Sequence, residues 1–418
     1  MTATTSDHLD GINLSDPEAF RRNEAHAMFR VLRAQDRLHW DEGTSWFPGF
    51  WSIVTYDDVL TVSRDPTTFI SSKGINMMTD PVNPSTASGL GKMLITMDPP
   101  RHVRLRRLVN KGFTPRAVSV IEPHIRAITT SIIDDIAAPS RCEFVSDVAA
   151  LLPLAVICEM MGVAKDDRKL MFELTNRVLG ADDPEYQTAG GDDGDARRAT
   201  AEQGQREMFG YFMRLLGERR ADRRDDLVSV LAGADVDGDQ LTDEEILFFS
   251  YLLILAGNET TRNAISGGLL ALFEHPEQMH RLQANPTLMP LAVEEILRWT
   301  SPVMHMTRVA TRDVRLHDTD IRAGERVCLW YPSANRDEAV FADPDTFDIA
   351  RDPNDHLAFG IGEHFCLGAG FARLELKVMF EELLRRLPDI APDGESERLR
   401  STFIGGIKHM PVRYTARP

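Results

Sequence analysis

One long helical pattern constrains the fold of this chain more than any other feature of its sequence. The pattern begins at Thr242, which stands in capping-box spacing to Glu245, and it continues until His275 and Pro276. At 1.5 Å per residue, its thirty-odd residues would extend roughly 50 Å, which is the width of an entire domain. Because the pattern is also largely apolar, we predict a central helix around which the remaining chain packs.

Helical periodicity dominates the rest of the chain as well. Alternating apolar and polar residues predict two strands, at 47–56 and 326–331. The segment 180–200 is rich in aspartate and glycine, which predicts a mobile, solvated loop, with a boundary between domains as the alternative. Since the patterns on both sides of it look like two parts of one unit, we predict a single domain over residues 1–418, mainly α-helical with a small β region.

The charge and hydropathy of the chain argue against several kinds of partner. A net charge of −17 opposes non-specific attraction to nucleic acid or to an anionic membrane. The longest nearly apolar run, 246–256, is far shorter than the roughly 20 residues that span a bilayer, and the first residues do not resemble a secretory signal. We therefore expect a soluble, cytoplasmic protein, and take a monomer as its state.

The stretch 357–373 gives one cysteine unusual surroundings. Gly360 and Gly362 precede Cys366 and allow a backbone with positive φ that can approach a flat cofactor closely. Cys366 stands just before a helical pattern that begins at about Leu367, where free N–H groups favour a negatively charged sulfur. These features predict that Cys366 is a thiolate ligand.

Other interpretations of the same residues fit less well. A zinc site built on His364 and Cys366 lacks a second pair of ligands at suitable spacing. A dinucleotide-binding loop would need glycine or alanine where Phe365 stands. The remaining cysteines show no paired spacing and are interpreted as buried structural thiols: Cys142, Cys158 and Cys328.

Residues 359–368, "FGIGEHFCLG", resemble position for position the haem-binding signature of cytochrome P450 enzymes, and Ala372-Arg373 continues the bacterial pattern. The resemblance implies the cytochrome P450 fold, with haem b buried between the long central helix and the cysteine loop. It also implies that Cys366 is the proximal ligand of the haem iron, where a thiolate promotes cleavage of the dioxygen bond. Phe359, His364 and Gly368 would then belong to the haem site.

Further landmarks of the same family occur in order along the chain. Glu295, Arg298 and Arg351 are similar to its structural Glu–Arg–Arg network. His102 and Arg106 fall about 40° apart on one helix face, and by resemblance they contact the haem propionates together with Arg308 and His364. The opposite face of that helix carries three basic residues, which we interpret either as a docking patch for an acidic electron donor or as a plain solvated face: Arg104, Arg107 and Lys111.

Residues 256–261, "AGNETT", resemble the oxygen-activation motif. Ala256 and Gly257 would lie beside the haem, where the missing side chain of glycine leaves room for a ligand. The resemblance implies that Thr260 delivers protons through water during oxygen activation and that Glu259 supplies that relay. The alternatives are local contacts: a hydroxyl bonded to the Ala256 carbonyl and a solvated ion pair between Glu259 and Arg262.

The implied activity is hydroxylation of a hydrophobic molecule by a haem-thiolate monooxygenase. It would use O2 and two electrons, which come ultimately from NAD(P)H through a separate ferredoxin reductase and ferredoxin. A peroxide-driven peroxygenase and a non-catalytic haem-binding sensor or carrier remain alternatives. A peroxygenase would be expected to lose the Glu–Thr relay, and a carrier would not need one.

Four segments resemble the substrate-contact regions of the family: 74–78, 91–97, 302–306 and 403–406. Their apolar, methionine-rich character predicts a hydrophobic substrate such as a steroid, a terpenoid or an aliphatic chain. His305 is the one polar candidate partner for a substrate oxygen, with a structural histidine as the alternative. The predicted substrate contacts are Met77, Met93, Leu94, Val303, Met304, His305 and Ile404.

Overall fold

The computed structural model describes residues 11–35, 37–43, 48–77, 91–138, 140–188, 194–236 and 238–416. Helices dominate this part of the chain. The α-helices are α1 Pro17–Arg21, α2 Ala25–Gln35, α3 Tyr56–Ser63, α4 Arg101–Val109, α5 Pro115–Ile136, α6 Leu151–Met161, α7 Arg168–Leu179, α8 Gly194–Ala221, α9 Leu227–Ala232, α10 Asp243–Glu274, α11 Pro276–Ala284, α12 Met289–Thr300, α13 Tyr331–Ala334 and α14 Ala369–Arg386.

The strands are short and form small sheets. They are β1 Leu38–Asp41, β2 Phe50–Ile53, β3 Phe69–Ile70, β4 Arg141–Glu143, β5 Asp235–Val236, β6 Asp239–Gln240, β7 His305–Ala310, β8 Val314–Leu316, β9 Thr319–Ile321, β10 Arg326–Trp330, β11 Ala391–Pro392, β12 Glu397–Arg398, β13 Ile407–His409 and β14 Pro411–Arg413. The largest sheet has the order β1-β2-β10-β7-β3. Its strands pair antiparallel except β10 and β2, which run parallel with Cys328 opposite Ser52. Both predicted strands therefore exist, although Phe47 of the first lies outside the described residues.

The predicted central helix is α10, which is 32 residues long. Its capping box is complete, because the Glu245 N–H donates to Thr242 Oγ1 at 3.2 Å and the Thr242 N–H donates to Glu245 Oε2 at 3.0 Å. At the other end Pro276 begins α11, as the sequence predicts. Helices α6, α8, α12 and α14 pack against α10, so one helix contributes to the two largest apolar clusters of the core.

The prediction of a single solvated loop over 180–200 is wrong in two places. Helix α8 already begins at Gly194, while residues 189–193 lie outside the described part of the chain. Asp183 is buried, and its carboxylate accepts hydrogen bonds from the Arg400 N–H and from Lys408 Nζ, both at 3.2 Å. These bonds fasten the first half of the segment to the β12–β13 region.

A buried ionic network joins α12 to the segment that leads to Cys366. Glu295 and Arg298 are both fully buried and form a bidentate pair with distances of 2.7 and 2.8 Å. Arg351 adds a third member through its Nε, 3.2 Å from Glu295 Oε2. Arg298 also donates to the carbonyls of Asn335, Pro344 and Thr346. The network therefore holds residues 335–354 in place beneath α12, as the resemblance implies.

No helix in the described ranges is long and apolar enough to cross a bilayer.

Candidate active site

A cavity of about 240 Å³ lies between α10 and the segment that carries Cys366. Its walls come from α4, α6, α10 and α14 and from residues 302–308 and 358–368. These elements are distant in sequence, and α10 brings them together because it crosses the whole core. The cavity contains every residue that the sequence assigns to the haem site: His102, Arg106, Ala256, Gly257, Arg308, Phe359, His364, Cys366 and Gly368.

Two glycines shape the turn before Cys366. Gly360 and Gly362 have φ values of +67° and +75°, and a Cβ on Gly362 would lie 2.7 Å from the Ser63 carbonyl oxygen. The Cys366 N–H donates to the Phe359 carbonyl at 2.9 Å and closes the loop. The predicted positive φ therefore occurs at both glycines, and the close contact of Gly362 is with α3.

Several groups act on the Cys366 thiol in opposite directions. Burial raises its pKa, whereas the Gly368 N–H and the guanidinium groups of Arg106 and Arg373 lower that pKa. Arg373 is held by stacking on Phe359 at 4.6 Å. In the protein alone burial has the larger effect, so a bound cation is needed to keep the sulfur negative.

The opposite wall of the cavity is the middle of α10. Ala256, Gly257 and Thr260 line it, and they share one helix face by their spacing. A Cβ on Gly257 would lie 3.2 Å from Ile157 of α6. Glycine at this position therefore also permits α6 and α10 to pack closely, a reason that the sequence does not reveal.

Thr260 and Glu259 do not point in the same direction. The Thr260 hydroxyl faces the cavity and donates to the Ala256 carbonyl at 2.8 Å, the local bond considered as an alternative. Glu259 lies behind that wall, where its Oε1 accepts from Arg262 and from Asn263, and its Oε2 is buried without a partner. The ion pair with Arg262 exists, but it is buried rather than solvated.

One end of the cavity concentrates hydrogen-bond donors that lack acceptors. Both ring nitrogens of buried His102 have no hydrogen-bond partner, and its ring contacts that of His364 at 4.4 Å. Arg308 is 6% exposed and donates only to the Thr307 carbonyl, while Arg106 donates to the Phe365 carbonyl. Neither guanidinium has a carboxylate within 4.0 Å among the described residues. This end of the cavity is suited to bind carboxylates of a ligand.

The predicted substrate contacts divide into two groups. Leu94 and Val303 line the cavity. Five others are absent from its described lining, and the prediction that they face this cavity is not met: Met77, Met93, Met304, His305 and Ile404. Met78, in the predicted segment 74–78, lies outside the described residues.

The five residues that do not line this cavity make contacts elsewhere in the structure. His305 is fully buried, with Nδ1 3.0 Å from the Thr402 carbonyl and Nε2 3.3 Å from the Met77 nitrogen, and burial lowers its pKa to about 3. Met77 packs in the core beside β7, and Ile404 pairs with Val303 through an isolated β-bridge. Met93 packs in the core cluster of α6 and α10, and Met304 lines a separate cavity. His305 is therefore a structural histidine.

The apolar wall above the haem site comes mostly from helices that the sequence reasoning missed. Residues of α6 and α10 supply it: Val156, Ile157, Met160, Phe249, Leu252 and Leu253. Phe249, Leu252 and Leu253 precede Thr260 by eleven, eight and seven residues, so helical spacing places them on its face. These three residues could therefore have been predicted from the sequence to line the cavity.

Glu375 is a further cavity residue that the sequence reasoning missed. It lies on α14, is 4% exposed, and its Oε2 has no hydrogen-bond partner. Burial raises the pKa of Glu375 to about 8. The carboxyl is therefore protonated at neutral pH, which avoids an unpaired negative charge in the core.

The shifted pKa of Glu375 predicts a pH-dependent stability. Between about pH 4.5 and pH 8 the folded protein holds a proton at Glu375 that the unfolded chain releases, so stability falls as the pH rises through that window. From pH 5 to pH 8 the wild type should lose about 3 kcal/mol of unfolding free energy relative to Glu375→Gln. Urea unfolding of both proteins at several pH values measures this difference, and parallel pH curves would contradict the assignment.

The predicted docking patch on α4 is not a set of free cations. Arg104 forms ion pairs with Asp239 and Glu245, which neutralise its charge. Arg107 is exposed, and the side chain of Lys111 lies outside the described residues. The interpretation of Arg104 as a docking residue is therefore wrong, because its guanidinium is already ion-paired with carboxylates of β6 and of the first turn of α10.

Comparisons with known proteins agree with this geometry. A family model described as Cytochrome P450 matches residues 197–403. A methyl-branched lipid omega-hydroxylase of Mycobacterium tuberculosis is 45% identical over 372 residues, 88% of this chain and 84% of that protein. A steroid C26-monooxygenase of the same organism is 39% identical over 97% of this chain and 98% of that protein.

Solved structures give the same result for the fold. A Mycobacterium marinum cytochrome P450 in complex with pseudoionone has a TM-score of 0.89 and 37% identity, covering 97% of this chain and 99% of that one. A Bacillus megaterium protein in complex with testosterone has a TM-score of 0.85 and 34% identity, covering 95% and 99%. The resemblance of residues 359–368 and the predicted fold class are confirmed, and the chain belongs to the cytochrome P450 family of haem-dependent monooxygenases.

Proposed function

We propose that this protein hydroxylates an unactivated C–H bond of a hydrophobic lipid, either an aliphatic or terpenoid chain or the side chain of a steroid. The observation that carries the proposal is the cavity itself, which has one cysteine at its base, unpaired cationic donors at one end and apolar side chains above. The names of the relatives, which include a methyl-branched lipid hydroxylase and a steroid monooxygenase, support this substrate class.

The residues present fit haem b. Cys366 lies opposite α10, so a flat macrocycle can lie between the cysteine loop and the helix. The unpartnered nitrogens of His102 and the free guanidinium donors of Arg308 and Arg106 lie at one end, where the two propionates of haem would supply the missing acceptors. His364 would complete that end, with its Nε2 3.2 Å from Ser71 Oγ.

Each wall of the cavity has its own part in the proposed reaction. When bound, haem iron supplies the activation of O2 and the insertion of one oxygen atom into the substrate, while the second atom leaves as water after uptake of two electrons and two protons. Cys366 would hold the iron, and the Gly368 N–H and Arg106 would stabilise its negative sulfur. The Thr260 hydroxyl, which faces the cavity, would hold a water there and pass protons through it.

The proton supply to Thr260 starts behind the helix. The Glu259 carboxylate is buried with Arg262 and Asn263, and its free Oε2 has no partner in the resting arrangement. We propose that Glu259 exchanges this pairing for a water-connected one during turnover.

The electrons are proposed to come from NAD(P)H through a ferredoxin reductase and a ferredoxin. Relatives match over 97% of the chain, so the residues described here belong to the oxygenase unit. The ferredoxin would meet the protein on the cysteine side of the cavity. Arg107 on α4 and Arg116 in the first turn of α5 are exposed, and we propose that they supply positive charge to that surface.

Product formation tests the proposed function. The purified holoenzyme is incubated with ferredoxin, its reductase, NADPH and 18O2, and with either a methyl-branched fatty acid or a C27 steroid. We expect a hydroxylated product with one 18O atom, formed only with the complete electron chain. Product formed with hydrogen peroxide alone would indicate a peroxygenase, and haem binding without product would indicate a carrier; both contradict the proposal.

Replacing Thr260 with alanine should uncouple electron use from hydroxylation. The variant keeps the cavity wall but removes the hydroxyl, so we expect product per NADPH to fall about 10-fold or more, with peroxide released instead. The substrate dissociation constant, measured from the Soret shift, should change less than about 2-fold because the lost group is small. Thr260→Ser, which keeps the hydroxyl, is the matched control and should restore most of the coupling.

A further inference from the structure

A second cavity, of about 280 Å³, lies beside the C-terminal part of α10. Its lining comes from α1 and α2, the last three turns of α10, the end of α12 and residues 398–407. The two cavities have no described lining residue in common. The two cavities come close at two steps of the chain, since Val303 and Ala264 line the first cavity and Met304 and Asn263 line the second. The proposed hydroxylation gives this space no role.

Arg336 brings a poorly compensated charge to the second cavity. Arg336 is only 6% exposed, and its guanidinium carbon lies 4.2 Å from the centroid of the Trp299 ring, on which it stacks. Its Nε has no hydrogen-bond partner, and the nearest carboxylate oxygen, on Asp345, is 4.0 Å away. A buried cation without direct acceptors is costly, and a ligand with acceptor oxygens would remove that cost.

Arg398 is the second unpaired cation of this cavity. Within the described ranges its side chain forms no hydrogen bond and no ion pair closer than 4.0 Å, and Glu274 is the carboxylate whose charge acts on it. Burial and the guanidinium groups of Arg336 and Arg398 lower the pKa of His26, so all three side chains lie within electrostatic range of one another. His26 is therefore neutral, and its buried Nδ1 also lacks a partner.

The charges around the cavity leave a positive excess. Three arginines line it, Arg30, Arg336 and Arg398, against two carboxylates, Glu274 and Asp345. Asp345 Oδ2 lies 2.6 Å from Arg30 Nη2, so its negative charge is already partly balanced and compensates Arg336 less. Arg33, nearby, is paired with Glu338. One further negative charge would complete this set, and it must come from outside the described residues.

The remaining lining residues indicate the chemical character of the uncharged part of the ligand. Apolar side chains occupy the walls beside the two arginines: Phe20, Leu270, Trp299, Met304 and Ile407. A small inorganic anion would satisfy the arginines but leave this apolar surface in water. A carboxylate with a short hydrocarbon body satisfies both parts, because guanidinium groups bind carboxylates through paired hydrogen bonds.

We propose that the second cavity is a binding site for a small aliphatic carboxylate, distinct from the substrate site. The carboxylate is held by Arg336 and Arg398, and the hydrocarbon body lies against Trp299 and Leu270. Asn263 lines this cavity and also donates to Glu259 at 3.3 Å. An occupant therefore lies one side chain away from the residue proposed to feed protons to Thr260.

Calorimetric titration with hexanoate tests the site. The holoenzyme is first saturated with 4-phenylimidazole, which occupies the first cavity by binding the haem iron. We expect one hexanoate to bind per protein and 1-hexanol to bind at least 10-fold more weakly. No binding of hexanoate to the saturated protein, or equal binding of the alcohol, would overturn the proposal.

Three variants assign the binding to this cavity. Arg398→Gln should weaken hexanoate binding at least 10-fold, while Arg206→Gln, an exposed arginine on α8, should leave it unchanged. Glu274→Gln removes an opposing carboxylate and should strengthen binding several-fold, which keeps the test decisive if Arg398→Gln does not fold. Equal affinity in all four proteins would show that hexanoate binds elsewhere and would overturn the assignment.

Discussion

Glu295→Gln should lower the free energy of unfolding of the holoenzyme by about 3 to 5 kcal/mol, the cost of breaking a buried ion pair by removing one partner. Both carboxylate oxygens of Glu295 only accept hydrogen bonds, Oε1 from Arg298 and the Asp348 N–H, and Oε2 from Arg298, Arg351 and Asn354. A glutamine would turn an NH2 group toward one of these sets of donors. The charge of Arg298 would also remain buried without a counterion.

Urea unfolding and haem retention on heating measure the effect of Glu295→Gln. Because the network holds residues 335–354, which lead to the cysteine loop, haem should be released at a lower temperature than in the wild type. Glu202→Gln removes the carboxylate of an exposed pair with Arg206 on α8 and should cost no more than about 0.5 kcal/mol. If both variants were equally stable, the buried network would not be the structural support described here.

Cys366→Ser should reduce hydroxylation below about 1% of the wild-type rate. A serine hydroxyl stays protonated at neutral pH, so it can neither hold the iron as an anion nor promote dioxygen cleavage as a thiolate does. The loop itself should persist, since it depends on Gly360, Gly362 and the Cys366 N–H bond rather than on the sulfur. Turnover with the ferredoxin system measures the loss.

Cys142→Ser is the matched control for Cys366→Ser. Cys142 lies on β4, is partly buried and is absent from the described lining of either cavity, so its replacement should leave turnover within about 2-fold of the wild type. Thermal unfolding of both variants separates a chemical loss from a folding defect. Appreciable hydroxylation by a well-folded Cys366→Ser protein would contradict the role assigned to the thiolate.

The features predictable from sequence were those set by local chemistry. The capping box at Thr242 and Glu245 marked the start of α10, and Pro276 marked its end, because helix termini need specific partners for their free N–H groups. The turn at Gly360 and Gly362 was predictable for the same reason, since only glycine adopts positive φ readily. The single-domain organisation, the cytoplasmic location and the monomeric state stay predictions.

The substrate wall was less predictable because it depends on side-chain direction in buried segments. Val303 and Met304 face different cavities. Where both sides of the backbone are buried, apolar side chains alone do not show which residue faces which cavity. His305 was ambiguous in the same way until its two ring partners, the Thr402 carbonyl and the Met77 nitrogen, were seen. Such contacts join residues about 100 to 230 positions apart, beyond what local patterns record.

The different directions of the Glu259 and Thr260 side chains could have been predicted from the sequence. Consecutive residues of an α-helix point about 100° apart, so Thr260 can face the cavity while Glu259 points away from it. The structure accordingly places Thr260 in the wall and Glu259 behind it with Arg262. In this arrangement, a relay between the two side chains needs a side-chain rotation or an intervening water.

The absorption spectrum of the reduced protein under carbon monoxide tests the central claim most directly, namely that Cys366 binds haem iron as a thiolate in the first cavity. Wild type, Cys142→Ser and Cys366→Ser are compared at equal haem content. We predict a strongly red-shifted Soret band in the wild type and in Cys142→Ser, and its absence in Cys366→Ser. A spectrum unaffected by replacing Cys366, or a wild-type protein without the shifted band, would contradict the account.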